Sequence, residues 1–285
     1  MSLQIVMFPG QGSQYNGMGK DLFNEFPEVV ENAKKILGYD IVDICINNPN
    51  NTLNQTNYTQ PALFLLNFLH YQKYLKSNQT PDYFLGHSLG EFNALCAAGV
   101  FDFETGLKIV QKRGELMFSI VGTGMAAIIG ADYSEIQEIL KNNFPEIDIA
   151  NINSASQIVI SGKLESLEKA ADYFEEDGLV YVPLKVSGAF HSRYMTPIKN
   201  EFKEFIESMP LHQYEIPIIS NYTASLYPKE LDGIINNMAN QINSPIKWLQ
   251  SIEYLMSQGE SNFLEIGPGE VLSNILKKIK TKFLA

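Results

Sequence analysis

Two hydrophobic rhythms alternate along this chain. Short apolar runs, Leu3-Gln4-Ile5-Val6-Met7-Phe8 and Tyr83-Phe84-Leu85, have the length and the glycine-marked ends of buried strands. Apolar positions at helical spacing recur near residues 21–37, 61–76, 89–98 and 103–118, the second stretch opening with Pro61 at a favourable first-turn position. Between about 123 and 187 the rhythm changes. Strands are predicted near 125–130, 147–152, 156–161 and 180–185, with helices near 134–142 and 164–176, and this β-α-β-β-α-β order predicts a ferredoxin-like insertion. The first rhythm then resumes with a helix near 195–208, a strand at Ile216-Pro217-Ile218-Ile219-Ser220, two more helices, and the strand Asn262–Ile266 leading into Gly267-Pro268-Gly269. The predicted class is α/β, with a large subdomain over 1–122 and 188–285 and a small ferredoxin-like subdomain over 123–187. The asparagine-rich stretch Asn47–Asn57 reads as a loop.

Composition narrows the classes of partner. A 285-residue chain that is 45% hydrophobic can bury a substantial core. Its formal charge of −11 argues against nucleic acid, whose phosphates call for clustered Lys and Arg. Lys277, Lys278, Lys280 and Lys282 form the one obvious basic cluster, readable as a solvated helix end or as a docking patch. No apolar run reaches the roughly 18 residues of a membrane span, and Met1-Ser2-Leu3-Gln4 lacks the features of a secretory signal, so a cytoplasmic protein is expected. Cys45 and Cys96 are expected to be buried thiols rather than a disulfide.

The chemistry concentrates in Gly86-His87-Ser88-Leu89-Gly90-Glu91, where a predicted strand turns into a predicted helix. In such a G-x-S-x-G turn the glycines leave room around a strained serine, whose hydroxyl is exposed while a neighbouring N–H can face a developing oxyanion. A second glycine-rich turn, Pro9-Gly10-Gln11-Gly12-Ser13-Gln14, lacks the glycine a dinucleotide fingerprint needs at Tyr15, and no Gly-Lys-Ser/Thr follows. Such a loop can instead present a backbone N–H or the Gln11 side chain at the carboxyl end of a parallel sheet.

A serine hydroxyl needs a base, and the chain offers His70, His87, His191 and His212. His191 follows the small-residue turn Ser187-Gly188-Ala189-Phe190, a favourable place for a site residue. His70 and His212 read as structural, and His87, adjacent to the serine, should point away from it. None has HExxH or Cys/His spacing, so no metal site is expected. Ile109, Arg113, Leu116 and Ile120 recur at i, i+4, i+7 and i+11, which sets a guanidinium on or beside a buried stripe. Arg113 therefore needs an anion, either a protein carboxylate or the carboxylate of a substrate.

Taken together, PGQGSQ, GHSLGE, the Gln-Lys-Arg-Gly segment holding Arg113, Asn153 before QIVISG, GAFHS and EIGPGEVL closely resemble the malonyl-CoA:acyl-carrier-protein transacylase family, in its order and over nearly the whole chain. The likeness is greatest to free-standing, trans-acting acyltransferases that serve polyketide synthase modules, with fatty-acid-synthesis transacylases close behind. The resemblance implies a hydrolase-like α/β core and a ferredoxin-like subdomain closing over it. It implies Ser88 as nucleophile, His191 as general base and acid, and Arg113 as clamp for the malonyl carboxylate. It further implies an oxyanion hole from the backbone N–H groups of Gln11 and Leu89, the backbone carbonyl of Gln241 orienting His191, and Asn153 and Phe190 at the substrate. Phenylalanine before the histidine usually accompanies malonyl selection, although Gly188 stands where histidine is common. No cofactor is implied as bound: malonyl-CoA is the substrate, and the acyl carrier protein brings its own phosphopantetheine. Two rivals keep the same residues or the same fold: an acyl hydrolase that clears carrier proteins, and a non-catalytic scaffold.

Overall fold

The computed structural model describes residues 2–76 and 80–283. Its core is a parallel sheet in the order β2-β1-β7, formed by β1 (Leu3–Phe8), β2 (Tyr83–Gly86) and β7 (Ser261–Glu265). The central strand is sealed on both faces, with Ile5, Val6, Met7 and Phe8 all at or below 1% exposure, which is why it reads as an unbroken apolar run. Helices cover both faces. One cluster gathers Phe8, Phe64, Phe84, Phe92 and Phe202, and the other gathers Met7, Leu85, Trp248 and Leu272.

The insertion folds as β3 (Thr123–Ile129), β4 (Asp148–Ser154), β5 (Gln157–Lys163) and β6 (Val180–Pro183), antiparallel in the order β4-β5-β3-β6. Helices Tyr133–Asn143 and Leu164–Glu176 pack with the sheet through Ile136, Leu140, Leu167 and Phe174. This is the ferredoxin-like arrangement, and the fold as a whole is the α/β core with an antiparallel subdomain that the two rhythms predict. The edge strand β4 is docked onto the core: Ile246 and Asn151 form a parallel bridge, with Ile246 N–H donating to the Ala150 carbonyl at 2.8 Å.

Four local expectations need correction. The helix expected over 21–37 is two, Lys20–Glu25 and Pro27–Leu37, because Phe26 precedes proline and is driven out of the helical region to φ −133°. The helix expected to begin at Pro61 begins at Thr56, so the proline lies inside it. Periodicity missed that first turn because Thr56, Thr59 and Gln60 are polar yet buried. Asn47–Asn57 is more than a loop, since a 3-10 turn spans Pro49–Asn54. Asn48, Asn50 and Asn51 adopt positive φ there, which asparagine tolerates better than most residues. Finally, the segment 216–220 makes only isolated bridges, Ile218 with Phe84 and Ile219 with Leu226; Pro217 has no N–H with which to extend a ladder.

Both cysteines are free thiols, Cys45 buried and Cys96 partly so. No helix among the described residues is long and apolar enough to cross a membrane. The C-terminal lysines are largely occupied with neighbours: Lys277 reaches Asn274, Lys278 reaches Gln157, and Lys280 lies over the Phe263 ring. The side chain of Lys282 lies outside the described residues.

Candidate active site

Parallel pairing of Phe8 with Gly86 makes β1 and β2 end side by side, so the Gly10 turn and the Ser88 turn leave the sheet together. Their backbones interlock. A Cβ on Gly10 would sit 2.3 Å from the His87 carbonyl oxygen, and one on Gly90 would sit 2.0 Å from that of Phe8. Only glycine permits this approach, which sets the Gly10 turn against Leu89 as well, with the Leu89 nitrogen 3.6 Å from where a Cβ on Gly10 would lie. Neither N–H has a protein acceptor among the described residues. The Gln11 side chain turns sideways to Thr56 Oγ1 at 3.2 Å, and Thr56 meets Ser187 Oγ at 3.1 Å.

Ser88 sits at φ +51°, an unusual conformation for a residue with a Cβ. Its surroundings determine it on every side. The Ser88 N–H donates to Asn221 Oδ1 at 2.8 Å, while Asn221 Nδ2 donates to the Gly86 carbonyl at 2.8 Å. The Ser88 carbonyl accepts from Gln241 Nε2 at 2.8 Å and from the Glu91 N–H at 3.1 Å.

His191, 103 residues further along, brings Nε2 to 2.7 Å from Ser88 Oγ. It too has positive φ, +59°, and its Nδ1 lies 2.9 Å from the Gln241 carbonyl. A carbonyl can only accept, so Nδ1 carries the proton and Nε2 presents a lone pair to the serine hydroxyl. Burial and then the field of Arg113 lower the imidazole pKa to about 3; the Gln241 carbonyl opposes them, and His87 adds the smallest depression. The ring is therefore neutral at physiological pH, which leaves the Nε2 lone pair free to meet the serine hydroxyl.

Arg113 is 1% exposed and meets no carboxylate at ion-pair distance among the described residues. It donates to Gln60 Oε1 at 2.8 Å, Gln241 Oε1 at 2.8 Å and Ser88 Oγ at 3.2 Å, and its buried Nε has no partner. Of the two anions expected for it, the protein supplies none in direct contact. The guanidinium is held by neutral amides, with its Nε unspent, beside the serine oxygen.

The remaining expected residues are placed as follows. Asn153 Oδ1 meets His87 Nε2 at 2.9 Å, joining the small subdomain to the serine turn. His87 thus points away from Ser88, toward Asn153 and the Trp248 ring. Phe190 is 5% exposed and packs in the main core, and a Cβ on Gly188 would sit 3.0 Å from its ring. His70 lies within the helix Thr56–Leu75, and His212 follows Pro210, with its N–H on the Val100 carbonyl. A cavity of about 600 Å³ is lined by His191, Arg193, Gln137 and Lys141 among others. No group of His, Cys, Asp or Glu among the described residues could hold a metal ion.

Sequence reasoning missed Gln60, Asn221, Glu91 and the side chain of Gln241. Gln60 carried a usable signal, an amide just before a proline in an apolar helical stretch. Asn221 carried none, because its role depends on the chain returning from more than 130 residues away.

A hydroxyl within hydrogen-bond reach of an oriented imidazole, beside two unspent backbone donors on an α/β core, defines the equipment of a serine-dependent acyl-transfer enzyme. The comparisons give the family: residues 5–282 match the acyl transferase domain, and the chain belongs to that family. It is 49% identical over 278 residues to the polyketide biosynthesis malonyl CoA-acyl carrier protein transacylase PksC of Bacillus subtilis, covering 96% of each chain. To the malonyl CoA-acyl carrier protein transacylase of Staphylococcus aureus it is 38% identical, covering 98% of this chain and 93% of the other. The crystal structure of a malonyl CoA-acyl carrier protein transacylase from Burkholderia pseudomallei superposes with a TM-score of 0.95 at 42% identity, over 99% of both chains.

Proposed function

We propose that this acyltransferase moves a malonyl group from malonyl-CoA to the phosphopantetheine thiol of an acyl carrier protein, through a malonyl ester of Ser88, as a trans-acting enzyme of polyketide synthesis. The observation that carries the reading is the shared position of His191 Nε2 and Arg113 Nη2 about Ser88 Oγ, at 2.7 and 3.2 Å. A base touches the nucleophile, and a buried cation waits where the distal carboxylate of a three-carbon acyl group would lie.

In the first half-reaction His191 Nε2 takes the Ser88 proton as the hydroxyl oxygen attacks the thioester carbonyl. The oxyanion faces the N–H groups of Gln11 and Leu89, each worth roughly 3 kcal/mol at the transition state. The C–S bond then breaks, His191 returns its proton to the CoA sulfur, and malonyl-Ser88 remains. In the second half the carrier thiol gives its proton to His191 and attacks the ester. Collapse of the tetrahedral intermediate forms the new thioester and restores the Ser88 hydroxyl. Arg113 fixes the carboxylate, a charge-assisted contact worth about 1.5–3 kcal/mol, and Gln60 and Gln241 aim the guanidinium. Phe190 closes the pocket around the unbranched acyl group, a steric preference of about 1–3 kcal/mol.

The polyketide assignment rests on degree of likeness, 49% to the polyketide enzyme against 38% to the Staphylococcus aureus transacylase. Arg113 favours transfer of a malonyl group over clearance of simple acyl groups, because its guanidinium touches only neutral groups and a malonyl carboxylate would give it the one directly bonded anion. Incubation with malonyl-CoA and holo carrier protein should yield malonyl carrier faster than free malonate. Free malonate as the faster product would make the enzyme a hydrolase, and failure to form a malonyl adduct after rapid quenching would make it a scaffold. Assay against a panel of polyketide and fatty-acid carriers separates the two pathways.

A further inference from the structure

The mechanism leaves one buried ionisable group unused. Glu91 is fully buried, 0% exposed, in the helix Gly90–Ala97 one turn beyond the nucleophile. Its two oxygens are separately engaged: one accepts the Tyr227 hydroxyl, and the other accepts the Asn221 N–H. Asn221 is the residue whose side chain ties the Gly86 carbonyl to the Ser88 N–H, so the carboxylate anchors the strap across the serine turn. Arg113 is bonded only to neutral groups. Both charges are buried against the same residue, Arg113 through Nη2 on Ser88 Oγ at 3.2 Å and Glu91 through its N–H on the Ser88 carbonyl at 3.1 Å, and neither has an ion-pair partner among the described residues, so each is the other's counter-charge through space.

A malonyl carboxylate bound at Arg113 places a second anion against one cation in a water-poor site. Two carboxylates around a single buried guanidinium leave a net negative charge, and like charges that close disfavour the ionised form of the more buried one. Building on the malonyl reading above, we propose that Glu91 is the resident counter-charge of Arg113 and takes up one solvent proton when the substrate carboxylate reaches the guanidinium, releasing it when that carboxylate departs. The charge in the site is then the same before and after binding: Arg113 against Glu91 in the empty enzyme, Arg113 against malonyl in the loaded one.

The ionisable groups acting on Glu91 are Tyr227, which donates to it, and Arg113, which favours its charged form. Burial is the largest influence, and the carboxyl titrates at about 7 in the empty enzyme. Below that pH Glu91 already holds a proton, and binding takes up none. Above it the empty enzyme carries the carboxylate, and binding must protonate it. Malonyl affinity should then fall as pH rises through the window between the empty and loaded values, by up to about tenfold per pH unit.

The test is calorimetric titration of Ser88→Ala protein, which binds but cannot be acylated, in buffers of different ionisation enthalpy at about pH 8. Malonyl-CoA is compared with acetyl-CoA, which has the same nucleotide phosphates but no distal carboxylate. The expected difference is close to one proton per site, absent in the Ser88→Ala/Glu91→Gln double variant, whose amide can still accept from Asn221 and meet Tyr227. No difference between the two ligands overturns the proposal. A difference that survives Glu91→Gln also overturns it and moves the proton to another group, His191 first. If the double variant does not fold, the pH dependence of affinity in Ser88→Ala alone decides, because parallel curves for the two ligands exclude the uptake. Absence of any malonyl-CoA binding would instead defeat the functional reading itself.

Discussion

The serine turn and the histidine loop face each other across 2.7 Å, and both hold a non-glycine residue at positive φ, yet they are built in opposite ways. Ser88 lies in a compact motif, with Gly86 and Gly90 beside it and the Gly10 turn delivered by strand pairing, and Asn221 and Gln241 then clasp its backbone. His191 is positioned from far away. Its N–H donates to the Ile242 carbonyl at 3.2 Å, its ring to that of Gln241, and the preceding Ala189 N–H to Thr123 Oγ1 in the small subdomain. One half of the pair is a local motif that can be recognised as a string. The other is a loop whose conformation is set by three partners 50 to 66 residues distant. The strain of a left-handed residue, of order 1–3 kcal/mol, is carried by the glycine interlock together with the Asn221 and Gln241 bonds in the first case and by tertiary contacts alone in the second.

The comparison breaks most sharply if either member of the pair is removed. Ser88→Ala should abolish the malonyl adduct in intact-mass measurement and lower transfer by about 10⁴-fold or more. His191→Ala should come close to that, and the double variant should be little worse than Ser88→Ala, because the two act as one unit. Independent, multiplying losses would mean that the two do not share a step. Next in size is Gly10→Ala. Its Cβ would collide with the His87 carbonyl and spread the two turns apart, moving the Gln11 N–H. Single-turnover acylation should slow by about 10²–10³-fold, the usual cost of one oxyanion donor.

Arg113→Ala should lower malonyl transfer by about 10–100-fold more than acetyl transfer, the value of one charge-assisted contact. Equal losses would make Arg113 structural. The same variant sharpens the histidine side through pH. Burial and then Arg113 hold the His191 pKa down, so the ring stays neutral, and active, as pH falls through the ordinary histidine range. The acid limb of kcat/KM for acetyl transfer should lie well below pH 6.5 in the wild type and move upward in Arg113→Ala, where one depressing influence is gone. The smallest effect is expected for Gln241→Ala. The variant keeps the backbone carbonyl that orients His191 but loses the side-chain bonds to the Ser88 carbonyl and to Arg113. A loss in kcat of about tenfold is expected, in line with a net hydrogen-bond value near 1 kcal/mol, with the pH limb nearly unmoved.

How much of this was legible follows the same division. The order of strands and helices was readable because burial periodicity is written into consecutive residues: β1 is an apolar run because both its faces are covered, and β3 to β6 alternate with two amphipathic helices. The helix Thr56–Leu75 shows where that signal fails. Its first turn and Gln60 are polar and buried to serve Arg113 and the Gln11 loop, so a pattern that equates polar with exposed starts the helix late. Arg113 was found because it interrupts an apolar stripe, whereas the anion it lacks could not be seen until its contacts proved to be neutral amides. Glu91 was read only as part of a motif, and its burial against Tyr227 and Asn221 has no trace in the residues beside it.

The amino-acid string by itself determined the alternating α/β order, the inserted four-stranded unit, and the identity of the groups able to do acyl chemistry, because periodicity and tight-turn glycines act over a few residues. Tertiary structure alone decided which histidine nitrogen faces the serine, what surrounds the guanidinium, and where Glu91 and Asn221 stand. Those depend on fields and hydrogen bonds between segments separated by 50 to more than 130 positions, which meet only after the core has closed.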